Sequence, residues 1–320
     1  MQSIYVEIAS LEDSELVNTV KDISEQCSGK YNITVGIYLV SSDDFLREIA
    51  PKLKDIENVL WYIKHDPVTI NTLGITKGRK SALGMYNDQD YILQIDAHTK
   101  FEKDWDEKIV SYYKEALEIT KKPKTILTAW LGAYSYKPER YVVNAKPNYP
   151  MFTLPDFDRP YSEEMMSRIS TMTWHFADQL EVEDKYAPLS LYCGNFMFGS
   201  GELARDLYES FNEDLIFVEE ELLTSIELKH KGYSFVFPNF ELPLTHSYDS
   251  RGHGLGGERA YLEMYLDPDI LYDSMESNLQ RFYENKKNQI KINNYAKYAG
   301  LEYEEGKLIN KNTFYIPDKW

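Results

Sequence analysis

Two apolar, β-branched runs, "SIYVEIAS" from Ser3 and "NITVGIYLV" from Asn32, flank a segment in which Leu16, Val20 and Ile23 fall on one face of a helix. A strand, a helix and a strand in that order make a βαβ unit, whose two strands run parallel. A parallel sheet needs helices on its faces, and it opens a ligand crevice at the carboxyl ends of its strands. No other feature restricts the fold as strongly. "NVLWYIKH" then reads as a third strand, "GITKGRKSALGMYN" as a helix opened by glycine, and "DYILQID" as a fourth strand, giving a doubly wound α/β sheet.

The second half is less regular. "TILTAW", "FMFGSG" and "SFVFP" read as strands, "EDLIFVEEELLTSIELKHKGY" as a loop entering a helix that ends at Gly232, and "THSYDSRGHGLGGER" as a loop. The Pro-rich stretch from Lys137 to Pro188 reads as a long excursion, and a charged amphipathic helix is expected from about Ala260 to about Ala296. That C-terminal segment is expected as a packing appendage or a dimer surface.

At 320 residues and 43% hydrophobic content the chain can bury a sizeable core, and its net charge of -17 argues against a sequence-independent grip on a nucleic-acid backbone. A local basic patch such as "KKNQIKINNYAKY" keeps a nucleic-acid acceptor open. Cys27 and Cys193 lie far apart and in no metal or redox spacing. Neither a leader nor an apolar run long enough to span a bilayer is visible, so the expectation is a cytoplasmic protein (host cytoplasm if phage-encoded) without a membrane partner.

"DYILQIDAHTKFEKDWDEKI" raises the chemical question. On a strand, Asp96 and His98 would share a face at the carboxyl end, towards the crevice. A carboxylate with a neutral imidazole suits a borderline divalent cation such as Mn²⁺ better than Ca²⁺. The competing reading has Asp96 capping the next helix and His98 making an ordinary hydrogen bond. His246, after "SFVFP", is a candidate third ligand, and three such ligands leave positions for two oxygens of a diphosphate.

"QIDAHTKFEKDWD" closely resembles the metal-binding signature of the GlcNAc-transferase family that includes the cytoplasmic hydroxyproline N-acetylglucosaminyltransferases, with its Asp-x-His, spaced Phe and Trp-Asp pair. The likeness continues in "SLEDSELVNTV", "KGRKSALGMY" (with its arginine displaced), "CGNFMFGSGELARDL", "FVEEELLTSIELKHKGYSFVFP" and "THSY"; Glu221 stands where the family usually has Asp. The resemblance implies a GT-A-type glycosyltransferase fold: a Rossmann-like doubly wound mixed sheet with helices on both faces, followed by a C-terminal helical extension. It covers about Ser3 to Gly257 apart from the Pro-rich middle, and it leaves the C-terminal helix unaccounted for. The expected organisation is a transferase domain at 1–257, with a donor half at about 1–125 and an acceptor half at about 126–257, then an extension and tail at 258–320.

The resemblance also implies a UDP-sugar donor, Mn²⁺ or Mg²⁺ on Asp96, His98 and His246, and transfer with retention to a hydroxyl, a hydroxylated protein being the family's best-known acceptor; because the likeness fades from Lys137 to Pro188, a glycan, a small molecule or a modified DNA base stays open as the acceptor. The metal would act as a Lewis acid on the leaving diphosphate. Lys77 and Arg79 become candidates for diphosphate or ribose contact, and Ala9, Ser10 and Glu12 for flanking the nucleobase and ribose. Glu220 and Glu221 are the candidate catalytic acids, Glu220 being favoured for the sugar; a plain dipole-complementing first turn is the competing reading for Glu219, Glu220 and Glu221. Trp130, Tyr192, Asn195 and Glu219 could line the sugar subsite, and Arg251 or His253 could close on the diphosphate from a glycine-hinged lid.

Two other classes stay in view. A nucleotidyltransferase would place a basic, glycine-rich loop after the first strand, where "ASLEDSEL" is acidic. A non-catalytic nucleotide-sugar-binding module would show a broken ligand set, and all three ligands are present.

Overall fold

The computed structural model describes residues 1–137, 140–143, 151–154, 173–176, 184–212, 214–215, 219–247, 268–299, 302–304 and 307–309. The βαβ unit forms as the pattern requires: β1 (Ser3–Leu11), α1 (Leu16–Gln26) and β2 (Asn32–Val40). Then come α2 (Asp43–Lys54), β3 (Leu60–Asp66), α3 (Ile75–Leu83) and β4 (Tyr91–Asp96). The α2 helix was not read from the sequence, although its start carries a signal: Ser42 caps it by accepting Phe45 N–H, and Asp43 and Asp44 fill its first turn.

After β4 the chain runs through β5 (Thr99–Phe101), α4 (Trp105–Thr120), β6 (Thr125–Thr128), β7 (Ala133–Lys137) and β8 (Arg140–Val143). Within the Pro-rich excursion, β9 (Met151–Leu154) pairs antiparallel with β10 (Thr173–Phe176). Next are β11 (Tyr186–Leu189), β12 (Phe196–Ser200), α5 (Gly201–Ser210), α6 (Glu219–His230), β13 (Ser234–Pro238) and β14 (Leu244–Ser247). Among the described residues the expected single C-terminal helix is two, α7 (Pro268–Glu284) and α8 (Gln289–Ala299), separated by a 3-10 turn over Lys286–Asn288 that Asn285 caps; its expected start, 260–267, lies outside the described residues. A small hairpin of β15 (Glu302–Glu304) and β16 (Lys307–Ile309) follows.

The main sheet has eight strands in the order β11-β13-β6-β12-β4-β1-β2-β3. From β4 to β3 the pairs are parallel, whereas β12 runs antiparallel to both β4 and β6, making the sheet mixed. A second sheet, β5-β14-β7-β8, stands at the carboxyl end of β4. The core forms around β1, β2 and β4, which are buried along almost their whole length. On α3, Gly78 lets the helix close onto β1, since a Cβ there would sit 2.9 Å from Ala9 Cβ. The C-terminal helices are docked on the domain: Tyr283, Ile292 and Tyr295 pack with Leu191, Leu222 and Ile226.

The Trp-Asp pair after β5 is structural. Trp105 is fully buried, meets Phe101 edge to face at 4.9 Å between centroids, and donates Nε1–H to Ile23 O; Asp106 accepts Ser28 N–H and Oγ–H. The pair pins α4 to α1. Trp105→Ala is expected to cost about 3–5 kcal/mol, read as a lower urea midpoint at unchanged slope.

Candidate functional site

The site is built on a buried ion cluster at the carboxyl end of the parallel strands. Arg79, from α3, is 3% exposed. Its Nη1 meets Glu7 Oε2 at 3.4 Å, its Nη2 donates to Asp96 Oδ1 at 3.1 Å, and its Nε lies 3.4 Å from Glu220 Oε1. Burial alone would lower the guanidinium's pKa, but Glu220, Glu7 and Asp96 outweigh it and hold it above its ordinary value. One cation therefore joins β1, α3, β4 and α6.

The acids respond differently. Burial pushes Glu7 up to about 8 against the pull of Arg79, and burial together with Glu220 pushes Glu221 up to about 8 against a hydrogen bond from Gly194 N–H at 2.6 Å. Glu220 is also raised, by burial, although Arg79 and the Tyr192 hydroxyl oppose the shift. Asp96 goes the other way: burial would raise it, but His246 and Arg79 hold it well below the usual carboxylate range. Gly194 permits the crowding, because a Cβ there would lie 3.0 Å from Arg79 Nη2 and 3.2 Å from Glu221 Oε1.

Asp96, His98 and His246 come together, with one donor atom from each lying within 4.8 Å of the others. His246 Nε2 is 3.0 Å from Asp96 Oδ2, and the two imidazoles sit 4.4 Å apart between centroids. Burial, and then His98, lower His246 to about 4, so it is a neutral imidazole near pH 7. The route to this arrangement differs from the i, i+2 argument. β4 ends at Asp96, and His98 stands in the turn before β5. Thr19 Oγ1–H donates to Ala97 O, and Ser247 N–H and the Tyr134 hydroxyl both donate to His98 O, so three neighbouring elements shape that turn. His246 lies on a strand and not in a loop: on β14 it pairs with Thr99 of β5.

The other expected residues are placed as follows. Ala9 and Ser10 are buried at the end of β1; Glu12 turns the chain at φ 44° and accepts Ser42 N–H at 2.6 Å. Lys77 Nζ donates to Asn71 O, and the guanidinium of Arg79 is engaged by three carboxylates. The Tyr192 hydroxyl donates to Glu220, Asn195 Oδ1 accepts from Cys193 Sγ at 3.1 Å, and Trp130, partly buried, packs against the apolar cluster that joins the C-terminal helices to α6. Glu219 accepts Asn278 Nδ2–H at 3.1 Å and so faces α7. Arg251, His253 and the glycine-rich lid segment lie outside the described residues.

Two site residues were missed from sequence. Glu7 had a signal, an acid inside an otherwise apolar strand. Asp13, whose Oδ2 lies 2.7 Å from His98 Nδ1, stands in the "SLEDSELVNTV" segment that carries the family resemblance, but an acid ahead of a helix gives no local sign of such a partner.

A carboxyl protonated up to about 8 in the fold, against an ordinary 4.5, binds its proton more tightly folded than unfolded. Its contribution to stability is complete below 4.5 and is lost as pH rises through 8. The metal-free protein is thus expected to lose stability from about pH 4.5 to 8, with a shallower slope in Glu7→Gln, as measured by urea denaturation across that range.

Comparison with known proteins bears on the chain as a whole. A sequence search of curated proteins gave no match. The structure of GalNAc-T7 with UDP, GalNAc and Mn²⁺ superposes with a TM-score of 0.55 at 13% identity, covering 93% of this chain and 55% of that one; the chain thus spans about half of that protein's length. The S. aureus TarS 1-349 complex with UDP-GlcNAc superposes with a TM-score of 0.50 at 11% identity, covering 93% of this chain and 72% of that one. The shared fold is the GT-A type. The family described as Glycosyltransferase (GlcNAc) matches residues 63–254, a span from β3 through β14 that includes all three convergent donors, and the chain belongs to that family.

Proposed function

We propose that the chain transfers GlcNAc or a similar sugar from a UDP-sugar to a hydroxyl acceptor, with retention of configuration and with a divalent cation, Mn²⁺ or Mg²⁺, bound to Asp96, His98 and His246. The observation that carries this reading is the convergence of those donors, within 4.8 Å, at the end of a parallel strand of a GlcNAc-family transferase. The donor set fits: one ionised carboxylate and a neutral imidazole at His246 suit Mn²⁺. When bound, the cation supplies a Lewis acid to the leaving diphosphate. The presence of UDP-GlcNAc in the TarS structure, and of UDP and Mn²⁺ in that of GalNAc-T7, supports the donor class.

The chain's own residues divide the remaining work. Arg79 keeps Asp96 ionised and orients it, and the buried Ser10 Oγ, without a hydrogen-bond partner among the described residues, supports the assignment of Ser10 to the nucleoside. Of the two candidate acids, Glu220 is committed to Arg79 and Tyr192. Glu221 is the more exposed, at 9% against 2%, and its Oε2 lacks a partner among the described residues, so we assign the sugar hydroxyl contact to Glu221. A carboxyl raised to about 8 can donate a hydrogen bond at neutral pH.

The likeness to the hydroxyproline transferases supports GlcNAc as the sugar and a hydroxylated protein as acceptor, with 1–257 as the transferase domain and 258–320 as its extension. Free Cys27 and Cys193 fit a reducing, cytoplasmic setting, and no helix among the described residues is long and apolar enough to cross a membrane.

Titration calorimetry of UDP-sugars tests the reading. One donor is expected to bind at micromolar Kd with Mn²⁺, and not with EDTA or in Asp96→Ala. Binding indifferent to metal would remove the assignment.

A further inference from the structure

The group that anchors His98 comes from the segment after β1. Asp13 lies in the turn before α1, and its two carboxylate oxygens have separate tasks. Oδ1 accepts Glu15 N–H at 2.8 Å, fixing the start of α1, and Oδ2 lies 2.7 Å from His98 Nδ1. The His98 backbone is held independently, through its carbonyl, by Ser247 and Tyr134. An imidazole that gives Nδ1–H to a carboxylate keeps its lone pair on Nε2 and cannot rotate without breaking that bond. Asp13 thereby makes Nε2 the donor that His98 offers beside Asp96 and His246.

We propose that Asp13 is a positioning residue for the cation site: it fixes the tautomer and ring orientation of His98 and links that ligand to the start of α1. The inference rests on the metal-binding reading of Asp96, His98 and His246. Its consequence is mechanical as well as electronic. The same carboxylate ties His98 to the β1–α1 turn that follows Ser10, so the segment expected to flank the nucleoside and the donor expected to hold the cation are held in one register.

A purely structural Asp13 would only accept Glu15 N–H. Asp13→Asn separates the two roles, because an amide has one oxygen for two donors. If that oxygen keeps Glu15 N–H, the NH₂ faces His98 Nδ1 and drives the ring proton to Nε2, where it blocks coordination. If the oxygen instead serves His98, the turn loses its acceptor. Asp13→Ser retains an acceptor near Glu15 N–H and removes the one for His98, so it carries the same expectation should Asp13→Asn fail to fold.

The experiment is titration of Mn²⁺ alone into the full chain, with free Mn²⁺ read by electron paramagnetic resonance, alongside nitrogen-15 spectra of the histidines in the metal-free protein. Wild type is expected to bind Mn²⁺ and to show His98 protonated at Nδ1. Asp13→Asn and Asp13→Ser are expected to bind about 10- to 100-fold more weakly, with the His98 tautomer changed, and Asp13→Glu to recover part of the affinity. Wild-type affinity in the Asn or Ser variant, or an unchanged tautomer, would overturn the role of Asp13 while leaving the cation site standing. Failure of the wild type to bind Mn²⁺, or full affinity in His98→Ala, would instead overturn the site itself and the inference with it.

Discussion

A single buried guanidinium holds the crevice together. Arg79 sits among Glu7, Asp96 and Glu220, carboxylates drawn from two neighbouring strands and from a helix far along the chain. Burying four ionisable groups is costly, and removing the one guanidinium among them would leave ionised Asp96 in an interior that cannot solvate it, an imbalance of the kind that destabilises by about 3–5 kcal/mol. The cluster is tolerated because the acids share the burden unequally. Asp96 stays ionised, while Glu7 and Glu221 hold protons up to about 8. The residue that must carry charge is the one facing His246, and its neighbours are neutralised around it.

That division explains how three successive acids at the start of α6 come to differ. Glu219 turns to Asn278 on α7, Glu220 to Arg79 and Tyr192, and Glu221 to the Gly194 backbone. A dipole-complementing first turn would have left all three in solvent; here all three are buried, each against a different element. The contact between Glu219 and Asn278 also joins the C-terminal helices to the helix that bears the acids, so the extension buttresses the crevice wall.

Much of this was legible in the sequence where periodicity and packing agree. β1, β2 and β4 form where apolar runs of the right length demand them, α1 forms where Leu16, Val20 and Ile23 share a face, and the acid that ends β4 and the imidazole after it drew attention to the crevice. The failures have specific causes. The i, i+2 rule assumes that a strand continues, but β4 stops at Asp96, and a turn fixed by Thr19, Ser247 and Tyr134 brings His98 round instead. His246 read as a loop residue because β14 is only four residues long and is specified by pairing to β5 and β7. The break at Asn285 is set by a local cap inside a continuous amphipathic pattern. Glu7 and Asp13 gain their meaning from partners 72 and 85 residues away, a separation that no local pattern reports.

Asp96, His98 and His246 are proposed to hold a divalent cation against a nucleotide diphosphate. Anomalous diffraction at the manganese edge, from crystals grown with Mn²⁺ and UDP, addresses it most directly. One strong peak is expected, coordinated by Asp96, His98 and His246 with UDP phosphate oxygens completing its shell; UDP bound with no anomalous peak at these residues, or a peak held by other side chains, would remove the cation from this site.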